Sequence, residues 1–314
     1  MSQPDRSRWT PIRVDVTKDD AVVDWCMTPG ASFTEPFFDD TIALFLRRPF
    51  NQLFRQQTSL DDLDPALPAL PLTGLVCHVS RCGSTLVSQA LAAGGEVLSL
   101  SEPRALDAVS RADLRRQVDD ETQQRWVGAI YRALAQASLP EHSRAAVKLD
   151  AWTLHRFGLV KRVFPRTPWV LLIRDPVEIL VSQLRRRGAH MVPGALPPEL
   201  LGVDPGLPAE EYCARVLGGL YEAALAELDE HVLVLDHAQL LNGGLECALQ
   251  HLGVDVPDLS GVRGRHAKQP AQPFRPDAQE KQREATAEVC AAVELHARAG
   301  YEALRARTAD TVQC

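Results

Sequence analysis

The residues of this chain best suited to holding an anion are Ser80-Arg81-Cys82-Gly83-Ser84-Thr85. They interrupt an apolar run, Leu75–Ser80, and lead without further break into a helical pattern from Thr85 to Ala93. A turn between strand and helix aims successive backbone N–H groups at one point, and the helix N-terminus adds partial positive charge. Gly83 permits close approach of the backbone, Ser84 and Thr85 offer hydroxyls, Cys82 offers its amide, and Arg81 is a permanent cation with a forked donor set. That chemistry is phosphate binding. The lysine of the GxxxxGK[ST] pattern is missing after Gly83. The nearest candidate for a magnesium-holding Asp, Asp175, is wedged between Arg174 and Pro176. Both points argue against ATP or GTP hydrolysis. A tight turn with a Ser cap explains the stretch equally well when it is taken alone.

A second stretch, WVLLIRDPVEILVSQLRRRG, runs from an apolar strand pattern into a helix. Arg174 falls at the strand's carboxyl end, and Ser182 shares a helical face with Glu178, four residues before it. Pro176 suits a first helical position. Arg174 and Ser182 can converge on one anion, or Arg174 can pair with Asp175 or Glu178 at the surface. Two anion-reading elements at two strand ends suggest a ligand with two separate phosphate groups.

The elements that must position these residues follow from periodicity. Leu75–Ser80, Glu96–Ser101, Ala145–Leu149, Trp169–Ile173 and His231–Leu235 read as strands, apolar throughout as in a sheet covered on both faces. Helical patterns fall between them at 85–93, 104–118, 122–137, 153–164, 177–187 and 210–228. The alternation predicts an α/β fold, a three-layer doubly wound parallel sheet with the phosphate loop, spanning residues 71–314. Residues 1–70 form an N-terminal extension, a possible cover on the substrate side, with a strand at Ile12–Val16 and a short helix at Thr41–Phe45. A Pro-rich connector, Asp61–Gly74, follows. One long last helix is expected over Asp277–Arg307, and a functional loop over Met191–Pro208.

Composition sets the outer bounds. The chain has 314 residues, 45% hydrophobic and 24% charged, with a formal net charge of −7, which argues against a nucleic-acid partner. No secretory leader and no membrane-spanning run are visible, so no membrane partner is expected. Seven scattered cysteines and nine histidines show no disulfide framework and no metal-ligand spacing, and a reducing cytoplasmic setting is expected.

SRCGSTL followed by RDPVEILVS resembles the 5′-phosphosulfate loop and the 3′-phosphate loop of sulfotransferases that use 3′-phosphoadenosine 5′-phosphosulfate (PAPS). The likeness covers about half the chain, from Leu75 to Leu240, and the order of the motifs adds to it. It implies PAPS as co-substrate, no metal, and sulfuryl transfer to a hydroxyl or amine of a small-molecule, glycan or peptide acceptor. By the same resemblance, Arg81 contacts the transferred group and bridging oxygen, and Cys82, Gly83, Ser84 and Thr85 hold the 5′-phosphate. Arg174 and Ser182 hold the 3′-phosphate.

Glu102, ending the second core strand, stands where some members carry a glutamate base, and the other reading is a helix N-terminal Glu before Pro103. Lys148 is similar to a family lysine reaching the sulfuryl oxygens, or it pairs with Asp150 at the surface. His78 and His155 are alternative bases, His78 being placed in the core. The family's late nucleotide-binding segment has no clear match. The basic stretch Gly261–Pro270 is its nearest equivalent, with Arg263, Arg265 or Lys268 closing over the nucleotide, or else a solvated loop. A magnesium-ATP kinase of a small molecule or peptide, and a non-catalytic nucleotide-binding protein, are the other functions considered. The acceptor and the oligomeric state are not legible.

Overall fold

The structure is a computed structural model that describes residues 8–136, 139–266, 269–273 and 276–308. Five strands form a parallel sheet: β4 (Leu72–His78), β5 (Val97–Ser101), β6 (Arg144–Lys148), β7 (Trp169–Ile173) and β8 (Val232–Asp236), in the order β5-β6-β4-β7-β8. The expected strands are all present, with ends displaced by one to three residues, and Trp169–Ile173 matches at both ends. Every residue of β5 and of β7 is buried, which requires cover on both faces. Each fully buried Leu or Ile contributes roughly 1.5–3 kcal/mol, so these strands are fixed by burial alone.

An antiparallel sheet precedes this one: β1 (Trp9–Val16), β2 (Ala21–Met27) and β3 (Gln56–Ser59). Helices α1 (Phe38–Leu46) and α2 (Pro49–Leu53) lie between β2 and β3. The sequence reading found only part of β1 and of α1 here. The rest are short elements without a clear apolar period: β2 is apolar but for Asp24, β3 is polar throughout, and α2 has five residues. This first region shares one hydrophobic core with the parallel sheet, Val14, Val23, Trp25, Phe33 and Phe38 being among its members.

Around the parallel sheet, α3 (Ser84–Ala93) packs on β4, β5 and β6. Next come α4 (Arg104–Ser110), α5 (Asp120–Leu134), α6 (Phe157–Val163), α7 (Pro176–Arg185), α8 (Pro198–Leu201) and α9 (Ala209–Ala226). The short α10 (His237–Gln239) and then α11 (Leu245–His251) and α12 (Ser260–Arg263) follow β8, and α11 and α12 join α3. After the two-stranded β9 (Arg265–His266) and β10 (Gln269–Pro273) come α13 (Ala278–Glu284), α14 (Ala287–His296) and α15 (Arg298–Arg305). A 3-10 helix at Ala151–Arg156 contacts β4 and α9, and α15 contacts β7 and β8.

Three expected helices are corrected, the one over 153–164 being a 3-10 helix at Ala151–Arg156 followed by α6. The pattern over 104–118 stops at Ser110 and continues only as a 3-10 turn at Ala112–Leu114. The single helix expected over Asp277–Arg307 is three helices. Ala285 is extended (φ −63°, ψ 123°), and Thr286 caps α14 by accepting from the Val289 N–H. Ala297 departs from helical geometry at φ −128°. Nothing but a cap residue and two alanines marks these breaks in the sequence. The Met191–Pro208 loop contains the one-turn α8 but is otherwise irregular.

The chain reverses direction across the sheet at β4, since β5 and β6 lie on one side of it and β7 and β8 on the other. In such a sheet the crevice beyond the carboxyl end of the central strand is where ligands bind.

Candidate active site

The loop after β4 carries three left-handed residues in four: Ser80 (φ 73°), Arg81 (φ 54°) and Gly83 (φ 90°). Two of them have side chains, and such conformations cost of order 1–3 kcal/mol each, so the surroundings must hold them. The Ser80 N–H donates to His78 Nδ1 at 3.0 Å. Gln183 on α7, fully buried, donates to Ser80 Oγ at 2.8 Å and accepts from the Gly188 N–H at 2.8 Å. The Arg81 guanidinium donates to the carbonyl of Arg186. The Arg81 carbonyl in turn accepts from Arg174 Nη1 at 3.1 Å. At Gly83 a Cβ would come within 2.7 Å of Leu240 Cδ2, so conformation and space both demand glycine.

Gly83 caps α3 and its carbonyl accepts from the Leu86 N–H at 2.9 Å, so the Ser84 and Thr85 N–H groups are the first-turn donors without an intrahelical acceptor. Ser84 and Thr85 are buried beside them, and Thr85 Oγ1 has no hydrogen-bond partner among the described residues. Cys82 is fully buried, so what it can offer a ligand is its backbone. Among the described residues no carboxylate forms an ion pair with Arg81. A loop with unpaired amide donors at a helix N-terminus, an orphaned hydroxyl and a cation without a carboxylate partner fits an anion such as phosphate.

The second element meets the first. Asp175 caps α7, accepting from the N–H groups of Val177 (2.9 Å) and Glu178 (3.4 Å), and Pro176 opens the helix. Asp175 also accepts from Arg298 Nη1 at 2.9 Å and from Gln282 Nε2 at 3.1 Å. Arg174 is therefore not its partner. Arg174 is 5% exposed, with Nε on Glu178 Oε2 at 2.6 Å and Nη2 on Asp277 Oδ1 at 2.7 Å, besides its bond to the Arg81 carbonyl. The pairing with Glu178 foreseen for the surface is buried. Ser182 sits one turn beyond Glu178, partly buried.

The ends of β4, β5 and β6 bring a third group together. Glu102 follows β5 with φ 57°, its N–H donating to the Lys148 carbonyl at 2.8 Å. Lys148, 2% exposed, places Nζ 2.6 Å from Glu102 Oε1 and 3.2 Å from Ser101 Oγ. The Phe37 ring covers that ammonium at 4.8 Å. His78 Nε2 lies 3.3 Å from the same Glu102 oxygen. Because His78 Nδ1 accepts from Ser80, its proton is on Nε2 and points at Glu102. Burial pushes the Glu102 carboxyl up, but Lys148 and His78 outweigh it and hold it well below the usual carboxylate range. No side chain caps α4, so Glu102 is a member of this cluster and not a helix cap.

Asp150, two residues past Lys148, is a site member that sequence reasoning weighed only as a surface partner for that lysine. Lys148 pairs with Glu102 instead. Burial, with the charges of Glu102 and Asp107, pushes the Asp150 carboxyl up to about 7. His190, from the turn after α7, approaches it with Nδ1 3.9 Å from Oδ1. The signal available for Asp150 was its position just past a strand tip.

His155 does not join this cluster. It lines a cavity of about 570 Å³ with Glu199, Arg215, Glu222 and His296. Arg263 pairs with Glu246, Arg265 opens β9, and Lys268 lies outside the described residues. None of the six described cysteines forms a disulfide with another of them. Among the described residues no cluster of three or more His, Cys, Asp or Glu is arranged to hold a metal, and no helix is long and apolar enough to cross a membrane.

No family model and no curated protein matches the chain. Among solved structures it is similar to a sulfotransferase domain from the curacin biosynthetic pathway, at 14% identity over 76% of this chain and 98% of that one, TM-score 0.44. A sulfotransferase from Alicyclobacillus acidocaldarius gives 14% identity, 72% and 97% coverage and a TM-score of 0.39. The sulfotransferase domain of the Synechococcus PCC 7002 olefin synthase gives 15%, 74% and 98%, and 0.42. Scores this low carry no functional argument, and what the chain does has to be argued from its own side chains.

Proposed function

We propose that the chain is a sulfotransferase that moves a sulfuryl group from PAPS to a hydroxyl or amine of an acceptor. The observation that carries this reading is the bond from Arg174 to the Arg81 carbonyl at 3.1 Å, which makes two anion-reading elements parts of one cleft. A ligand with phosphates at both ends of one nucleoside fits two such elements. The phosphate loop and the 3′-phosphate element were legible as separate motifs, and their contact supports a shared ligand.

In this reading the amides of Gly83 and Ser84 and the Thr85 hydroxyl hold the 5′-phosphate, with the Cys82 amide beside them. Arg174 and Ser182 hold the 3′-phosphate. The co-substrate supplies an activated sulfuryl whose S–O bond to phosphate breaks as a new bond forms from sulfur to the acceptor, S–O for a hydroxyl and S–N for an amine. Arg81 stabilises the negative charge that grows on the leaving phosphate oxygen. Glu102 takes the acceptor's proton.

Lys148 sets when Glu102 is basic. While the ammonium sits 2.6 Å away, the carboxylate is a poor proton acceptor. An anionic group beside Lys148 draws the ammonium off and lets the basicity of Glu102 rise. Catalytic competence is thereby tied to an occupied donor site.

Calorimetric titration with adenosine 3′,5′-bisphosphate and with ATP, each with and without magnesium, tests the ligand class. Tight metal-independent binding of the bisphosphate is expected, and preferred binding of magnesium-ATP would replace this reading with a kinase. Sulfate transfer from PAPS to a panel of hydroxyl and amine acceptors tests turnover, and binding without any turnover would leave a nucleotide-binding protein.

A further inference from the structure

Helix α13 lies along α7, tied to it by Gln282 on Asp175 at 3.1 Å, by Arg185 on Glu280 at 3.0 Å, and by Arg185 on Glu284. Just before α13, Asp277 reaches the Arg174 guanidinium at 2.7 Å through Oδ1 and the Lys281 ammonium at 2.7 Å through Oδ2. The two cations are buried, Arg174 at 5% and Lys281 at 4% exposure, whereas the Asp277 side chain is 42% exposed. One half-open carboxylate thus joins two buried positive charges.

The partners of Arg174 are not equally replaceable. Nε is held by Glu178, whose side chain is 12% exposed, and Nη1 by a backbone carbonyl of the phosphate loop. Only the Nη2 partner, Asp277, faces water and precedes a short helix fastened largely by exposed ion pairs. Such pairs are weak. Counting Glu178, the cluster is neutral only while Asp277 is in place, so withdrawing Asp277 leaves a positive charge for another anion to match. The same two cations act on His237 beside the loop. Burial, together with the charge of Arg174, pushes His237 down to about 4, and His237 stands where a Cβ on Gly83 would touch it at 3.4 Å.

We propose that Asp277 occupies an anion seat from within: Arg174 and Lys281 are the two cations that clasp a phosphate of the bound nucleotide, and Asp277 withdraws when that phosphate enters. The proposal rests on the reading of the ligand as a 3′-phosphorylated adenine nucleotide and adds Lys281 as its second cationic contact. A phosphate dianion brings more charge and more acceptor oxygens than one carboxylate, so it displaces Asp277 where a neutral ribose hydroxyl does not. The Arg174–Lys281 pair then discriminates a 3′-phosphate from a 3′-hydroxyl.

The test compares adenosine 3′,5′-bisphosphate with AMP by titration calorimetry on the full chain. Asp277→Asn is expected to tighten the bisphosphate about tenfold and to leave AMP within about twofold. Lys281→Gln is expected to weaken the bisphosphate about tenfold, again with little effect on AMP. In the wild type, amide hydrogen exchange over 278–284 is expected to rise when the bisphosphate is added, a readout that needs no variant. Asp277→Ser, with a circular dichroism melt on each variant, separates lost folding from lost binding. The seat is overturned if the wild type prefers the bisphosphate to AMP but Asp277→Asn and Asp277→Ser leave that ratio unchanged or lower it. Without such a preference in the wild type, the 3′-phosphate reading itself falls, and the seat falls with it.

Discussion

His78 joins the loop after β4 to the carboxylate beside it: Nδ1 accepts from the Ser80 N–H at 3.0 Å and Nε2 faces Glu102 Oε1 at 3.3 Å. One buried imidazole therefore holds a left-handed residue in place and orients the candidate base. His78→Phe keeps a planar ring, somewhat larger, and removes both bonds, leaving the Ser80 N–H without its acceptor. Urea unfolding is expected to show a loss of about 1–3 kcal/mol, and bisphosphate affinity is expected to fall with it. Unchanged stability and affinity would mean that the imidazole does not hold the loop.

Thr85 separates stability from function. Its buried hydroxyl has no partner among the described residues, and an unsatisfied buried hydroxyl costs about 1–3 kcal/mol. Thr85→Val, nearly isosteric, is expected to leave the ligand-free protein equally or more stable in a thermal melt. The same variant is expected to bind adenosine 3′,5′-bisphosphate about tenfold more weakly by calorimetry. Undiminished binding would remove Thr85 from the phosphate site.

Glu102→Gln keeps the shape of the side chain and removes its charge. Turnover is expected to fall by about 10²–10⁴, with bisphosphate affinity within about threefold of the wild type. A turnover loss explained entirely by weaker nucleotide binding would assign Glu102 to positioning and leave proton removal to another group, Asp150 first.

Asp150 makes a pH-dependent prediction. Its folded value, about 7, lies above that of an unfolded Asp, near 4, so the native state holds its proton more tightly. Stability is therefore lost as pH rises from about 4 to about 7, and the full penalty persists above that. Asp150→Asn is expected to raise the Tm by about 3 °C or more at pH 8, with the gain shrinking toward zero near pH 4. A gain independent of pH would show that the carboxyl ionises without penalty.

Glu102 runs the other way. Held below its unfolded value by Lys148 and His78, it contributes stability above about pH 4.5 that is lost as acidification protonates it. Lys148→Met removes the main counter-charge and leaves a buried carboxylate without it. The wild type is expected to lose stability as pH falls below about 4.5, and melts of the variant are expected to fall less steeply over that range, because its Glu102 protonates at a higher pH.

The core strands were legible because burial on both faces leaves an unbroken apolar run, as in WVLLI, that no surface element shares. The turn after β4 and the turn at Arg174 were legible as strand-to-helix turns because each is local, a strand end followed by a cap residue or proline. Three things were not. The Asp277–Arg307 segment broke into three helices at Ala285 and Ala297, where packing and not propensity sets the ends. Lys148 chose Glu102 over Asp150, although Asp150 is two residues away and Glu102 is on another strand. Of the N-terminal sheet, whose β2 and β3 pair across thirty-odd residues, only part of β1 was seen.

By itself the sequence determined which chemical groups this protein owns and which of them stand at strand tips, since those features depend on neighbours a few residues apart. Only the tertiary structure decided their pairing: that Arg174 touches the loop of Arg81 across 93 residues, that Lys148 is locked to Glu102, and that Asp277 enters the cluster from the far end of the chain. The physical reason is range. Backbone conformation and periodicity are local properties, whereas the partner of a buried charge is chosen by whichever counter-charge the packed core brings within reach.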